Sequence, residues 1–149
     1  MKYHVITKAI IFVGLFCSYG SYAAGIKADT SLLFIDVEKG EGVVNFHNTE
    51  ARPVMLLTRF EPHSAGQDKL ITIVPPLVRI EAHQSQKVRF VLIGNRGSYE
   101  PCLLQVYFAG LPLTPAGVGK MDATERQPLR IIINSTEVTP VAKPCTSPR

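Results

Sequence analysis

No apolar run in this chain is long enough to cross a bilayer comfortably, which takes about 20 residues. The clearest one, Ala9 to Cys17, falls short of that. Catalytic signatures are also missing. There is no Gly-x-Ser-x-Gly elbow, and Gly94-Asn95-Arg96-Gly97 is too short for a phosphate loop and leads into a strand pattern rather than a helix. The carboxylates are scattered over turns, so no acid/base pair can be named, and an enzyme is excluded as the working reading. Histidine is sparse. His47, His63 and His83 follow the N-terminal segment at a spacing that makes neither a helical pair nor a tight metal clip, so neither a metal nor another cofactor is expected. The net charge of +4 is small, and its lysines and arginines form no stripe with interleaved aromatics. That pattern does not suit nucleic acid.

What is present begins with an export signal. Lys2 and Lys8 give a positive start, the Ala9–Cys17 run follows, and Ser21-Tyr22-Ala23 places small residues three before and immediately before a cut after Ala23. Phe16 precedes Cys17 where a lipoprotein site needs a small residue. The expected organisation is a signal peptide over 1–23, one domain over 24–138 and a Pro-rich tail over 139–149, with no stable membrane insertion once the signal is cut. Cleavage removes Cys17 and leaves Cys102 and Cys145. An even count in an exported chain predicts one disulfide between them.

With 46% hydrophobic residues in a chain of 149, a packed core is within reach. The pattern is β throughout. Strands are expected at Ser31–Val37, Val43–His47, Val54–Phe60, Leu70–Val74, Leu77–Glu81, Val88–Ile93, Leu103–Ala109 and Leu129–Ile133. Turn signals separate them: Glu38-Lys39-Gly40-Glu41-Gly42, Asn48 to Pro53, and Gly94 to Gly97. Pro75-Pro76 forbids continued ladder pairing because neither residue has an N–H. Leu111–Gln127 carries two prolines and two further glycines and reads as a mobile connection; the tail after Val138 reads as a linker or loose end. Short strands with turns every 8–12 residues predict an all-β antiparallel sandwich or barrel.

The run Ile73-Val74-Pro75-Pro76-Leu77-Val78-Arg79-Ile80-Glu81-Ala82, followed by Gln86-Lys87-Val88-Arg89-Phe90, resembles the periplasmic pilus-assembly chaperones of the chaperone–usher pathway, the PapD-like family. Val43 to Asn48 with Pro53, Cys102 to Pro112 and Leu129 to Ile133 resemble further strands of the same first domain. The resemblance implies an immunoglobulin-like sandwich of about seven strands, periplasmic location, pilus or fimbrial subunits as partners, and an outer-membrane usher beyond them. It implies that the last strand is donated to a subunit, with Leu129, Ile131 and Ile133 on the working face by the two-residue period. These residues are then expected on a sheet edge, at least partly uncovered, with self-association through that edge as a consequence. Apolar strand faces are ordinarily core, so the alternative is a plain core strand. The resemblance also implies an ion pair between Arg89 and Glu100. The family's basic pair for a subunit's terminal carboxylate falls here on Ser31 and on Glu137 or Val138, none of them basic. A different function, an immunoglobulin-like structural or adhesion module without chaperone activity, shares the same fold.

Overall fold

Alternation of apolar and polar residues sets the architecture. In the computed structural model, described over residues 25–61, 66–95, 99–114, 117–118, 126–134 and 143–145, ten strands form two packed sheets. The expected signal peptide and its cleavage site lie outside the described residues. In chain order the strands are β1 Ile26–Ala28, β2 Leu32–Asp36, β3 Glu41–Asn48, β4 Val54–Phe60, β5 Ile71–Val74, β6 Leu77–Ile80, β7 Ser85–Leu92, β8 Cys102–Thr114, β9 Gly117–Val118 and β10 Gln127–Asn134, with one 3-10 turn at Gln67–Lys69. One sheet has the order β1-β3-β7-β5. The other has the order β2-β10-β8-β4-β6, with β9 hairpinned onto β8.

The core lies between the sheets and is filled by every second residue. β3 contributes Val44 and Phe46, β7 Val88 and Phe90, β8 Leu104, Val106 and Phe108, and β10 Leu129, Ile131 and Ile133. Phe46 and Phe108 meet edge to face with ring centroids 4.8 Å apart, joining the two sheets. Gly42 allows β2 to approach β3 closely: a Cβ there would lie 2.9 Å from Ile35 Cγ1 and 3.0 Å from Leu33 Cδ2.

Every link from β1 to β8 carries the chain from one sheet to the other, and two of these links bear on the site. β1 pairs with β3 in one sheet, and after Asp29 to Ser31 the next strand, β2, pairs with β10 in the other. At Pro75-Pro76 the chain leaves β5 and enters β6 across the sandwich, where Pro76 C=O accepts the Thr58 N–H at 2.9 Å. The proline pair ends one ladder and starts another.

Two polar side chains fix the loops. Asn48 is fully buried; its Nδ2 donates to Arg52 C=O at 2.8 Å and Ile80 C=O at 3.1 Å, and its Oδ1 accepts the Glu50 N–H at 2.9 Å. It ties the turn before β4 to the end of β6. The Tyr99 hydroxyl donates to Leu70 C=O at 2.8 Å and also contacts Ile93 C=O, holding the approach to β8 against the end of β7. Burial raises the Tyr99 pKa, and the contact with the Ile93 backbone acts against that shift without cancelling it.

The sandwich class agrees with the sequence, and among the described residues ten strands form: the eight read from the sequence, with β1 and β9 added. β1 was not anticipated. β8 runs on to Thr114 and pairs with β9, so part of the expected Leu111–Gln127 connection is ladder. Part of the expected loose tail is bound too. Leu103 N–H donates to Lys143 C=O at 2.8 Å, and Cys145 N–H donates to Leu103 C=O at 3.0 Å.

Candidate strand-addition edge

The position of β10 decides how the apolar strand faces are used. On one side β10 pairs antiparallel with β8, from Gln127↔Phe108 to Ile133↔Cys102. On the other it pairs in parallel with β2, from Arg130↔Leu32 to Asn134↔Asp36. Leu129, Ile131 and Ile133 each have 0% exposure. The expectation of an uncovered edge carried by these three residues is therefore corrected: they face the opposite sheet as core, because the alternation that brings them onto one face points that face inward.

Among the described residues β2 ends the six-stranded sheet beside β10, and β6 ends it on the far side. Leu33 and Ile35 point into the core, so Leu32 and Phe34 point out, and they are 49% and 42% exposed. The backbone alternates in the same way. Ser31 C=O accepts the Arg130 N–H at 3.1 Å and Val37 N–H donates to Asn134 C=O at 3.2 Å, so the odd-numbered residues bond toward β10. The even-numbered ones face away from it. At Leu32 that outer side is occupied locally: its N–H donates to Thr30 Oγ1 at 3.2 Å, and the Thr30 hydroxyl donates to Leu32 C=O at 2.8 Å. Asp36 C=O accepts the Gly40 N–H at 2.9 Å. Between these two capped points, Phe34 presents its N–H and C=O to the open side.

The apolar character continues inward from this edge. Phe34 pairs with Ile132 and Ile132 with Leu103, so three apolar side chains form a row across β2, β10 and β8 on the outer face. In the next row, exposed Arg130 stands between Leu32 and Gln105. Gln105 Nε2 donates to the Tyr107 hydroxyl at 2.9 Å beside it. The outer face of the four-stranded sheet has a different chemistry. Asn45 Nδ2 donates to Asp29 Oδ2 at 2.9 Å, His47 Nδ1 lies 2.9 Å from Ser85 Oγ, and Arg89 pairs with Glu41. The outer face of the four-stranded sheet thus mixes these polar pairs with exposed Val43 and Val74, whereas the other outer face carries an apolar row that reaches a strand edge.

The remaining site expectations divide. Cys102 and Cys145 are joined by a disulfide. The expected Arg89–Glu100 pair does not form. Arg89 lies on the outer face of β7 next to β3, where Glu41 is within reach, whereas Glu100 precedes β8 of the other sheet and pairs with Lys143 Nζ at 3.2 Å. Among the described residues no three His, Cys, Asp or Glu side chains converge as metal ligands, and no helix is long and apolar enough to cross a membrane. The sequence does hold a signal for the β2 edge. Leu32-Leu33-Phe34-Ile35 is apolar on both faces, which marks a strand whose second face also meets something.

This sandwich, with its first chain segment shared between two sheets and a Pro-Pro crossover, is the fold of the pilus chaperones' first domain. Residues 25–113 match the family described as "Pili and flagellar-assembly chaperone, PapD N-terminal domain", and the chain belongs to that family. It is 32% identical over 121 residues to an uncharacterised fimbrial chaperone of Escherichia coli K12, YhcA, covering 78% of this chain and 53% of that protein. Its fold is similar to that of the periplasmic chaperone SfaE, with TM-score 0.59 and 11% identity over 80% of this chain and 60% of that one. It is also similar to a structure of the Salmonella enterica SafA pilin in complex with the SafB chaperone, with TM-score 0.54 and 13% identity over 80% and 59% of the two chains. The chain spans about half the length of the relatives it matches. A chaperone family is not an enzyme class.

Proposed function

We propose that this protein is a periplasmic chaperone that binds pilus or fimbrial subunits by β-strand addition and passes them to an outer-membrane usher. The observation that supports the reading is the apolar edge of β2, free among the described residues: Leu32 and Phe34 uncovered, with the Phe34 backbone groups turned outward. Strand addition takes affinity from main-chain hydrogen bonds and selectivity from alternate side chains. β2 supplies both, and the Phe34–Ile132–Leu103 row extends the apolar contact beyond the edge strand. An unprotected edge of this kind otherwise invites self-pairing. Covering it with a client is the use that fits an assembly chaperone. Donation by Leu129, Ile131 and Ile133 requires them to leave the core, so β2 is assigned the first contact with the client.

The test is co-expression of the exported protein with a tagged pilus subunit from the same genome, followed by recovery of the complex from periplasmic extract. The parent should co-purify with the subunit. Phe34→Lys should lower recovery at least tenfold while its thermal midpoint stays at the parent value. Equal recovery of parent and variant would remove β2 from the client contact; no recovery of either with any subunit of the genome would remove the chaperone reading itself.

A further inference from the structure

β8 has a second edge, on the side away from β10, and it is occupied in an unusual way. β4 covers that side only from Val106↔Phe60 onward to Pro112↔Val54. Nearer the start of β8 the partner is not a strand of the sandwich but the segment Lys143–Cys145, bridged in parallel through Leu103↔Pro144. Its two ladder bonds are Leu103 N–H to Lys143 C=O and Cys145 N–H to Leu103 C=O. Pro144 lies between them, where its missing N–H costs nothing because that position bonds away from β8. Cys145 drops into the core at 4% exposure, and Lys143 reaches exposed Glu100 at 3.2 Å.

We propose that this is a strand-acceptor slot, held shut by the chain's own tail and latched by the Cys102–Cys145 disulfide. The resident segment defines what fits: an extended peptide with a basic residue facing Glu100, a proline or other residue opposite Leu103, and a small apolar side chain two residues after the basic one. Among the described residues, little besides the disulfide holds the segment in place. Two hydrogen bonds and one solvent-exposed ion pair contribute modestly and must offset the ordering of three residues. The covalent bond is therefore the element that keeps the slot closed. Opening it is ordinary thiol–disulfide exchange with an external dithiol. One thiolate attacks a sulfur of the Cys102–Cys145 bond, the second thiol resolves the mixed disulfide, the dithiol is oxidised and both cysteines are left as thiols. With the tail lifted, Leu103 presents a free N–H and C=O beside the space vacated by Cys145. A matching segment of another chain then pairs there. This acceptor is separate from the β2 edge, which lies beyond β10 on the opposite side of β8, so neither proposal depends on the other.

The experiment uses the full mature chain, oxidised and after treatment with dithiothreitol. One readout is amide exchange at Leu103 relative to Ile131, a core ladder amide of β10 that reports on the whole domain. The other is binding of a fluorescent peptide covering residues 139–149 with Cys145→Ala, beside a scrambled peptide of the same composition. Reduction should raise the Leu103-to-Ile131 exchange ratio at least tenfold, and the peptide should bind only the reduced protein, at least tenfold more tightly than its scramble. An unchanged ratio would show that the tail stays docked without the bond, and the latch would be rejected. A raised ratio with no binding, or with equal binding of the scramble, would reject the acceptor slot.

Discussion

Ile131 and Phe34 sit on neighbouring strands and face opposite ways, so a charge should act oppositely at the two sites. Ile131→Asp places a carboxylate without a partner in the core, and the expected cost is about 3–5 kcal/mol. Phe34→Lys leaves the core untouched and should change stability by no more than about 0.5 kcal/mol, as surface substitutions generally do. Urea melts of the two variants beside the parent check both. A stable Ile131→Asp protein would mean that β10 does not pack as described. Asn48 is a further sensitive residue. Asn48→Ala leaves the carbonyls of Arg52 and Ile80 and the N–H of Glu50 without its side chain in a buried place, and the expected loss is about 1–3 kcal/mol. Tyr99 gives a pH dependence. Its folded pKa is raised by burial above the ordinary value of about 10. The folded state then holds the phenolic proton more tightly than the unfolded state. Stability from this group is intact below about pH 10 and declines as pH rises from there through the folded pKa. Tyr99→Phe should remove that part of the alkaline slope and, by losing the hydroxyl bonds to Leu70 and Ile93, cost about 1 kcal/mol at neutral pH. Parallel melts at neutral pH and above pH 10 separate the two effects.

At the scale of the elements, alternation made most strands legible. Val54–Phe60 is read from sequence to its observed bounds, and the strands either side of Pro75-Pro76 fall within a residue of theirs, because proline forbids the ladder at that point. The misses have physical causes. β1 is three residues long and has no alternation to read; what makes it a strand is its pairing with β3, a long-range fact. β8 passes through Gly110, Pro112 and Thr114 without breaking, because β4 and β9 supply the ladder that local propensity does not promise. β10 shows why the candidate site was only half legible. A two-residue period separates Leu129, Ile131 and Ile133 from Arg130 and Ile132, but it does not say which face is solvent. The opposite sheet, packed against Leu129, Ile131 and Ile133, decides that, and β2 laid in parallel along β10 takes the strand off the edge. The Cys102–Cys145 pairing was legible from the count alone. The ion pair was not, since Arg89 and Glu100 belong to different sheets.

At the scale of the whole molecule, the disulfide is the covalent link between the start of β8 and a segment reached only after β10 is complete, with a sequence separation of 43. In the chain-entropy model a loop of that size restricts the unfolded ensemble enough to stabilise the fold by about 4 kcal/mol at most, and about 2–4 kcal/mol is typical. The contribution acts mainly on the unfolded state, and this gives it a signature that the loss of a packing contact lacks. Without the cross-link the unfolded chain expands and exposes more surface, so the denaturant slope should rise as the midpoint falls. A core substitution of similar cost lowers the midpoint and leaves the slope alone. Paired urea titrations of the oxidised parent and of the double variant Cys102→Ser, Cys145→Ser should therefore show both changes together. A lowered midpoint at constant slope would assign the stabilisation to native packing around Cys145 instead, and a midpoint at the parent value would show that the two sheets, with Phe46 against Phe108 between them, hold the molecule without the bridge.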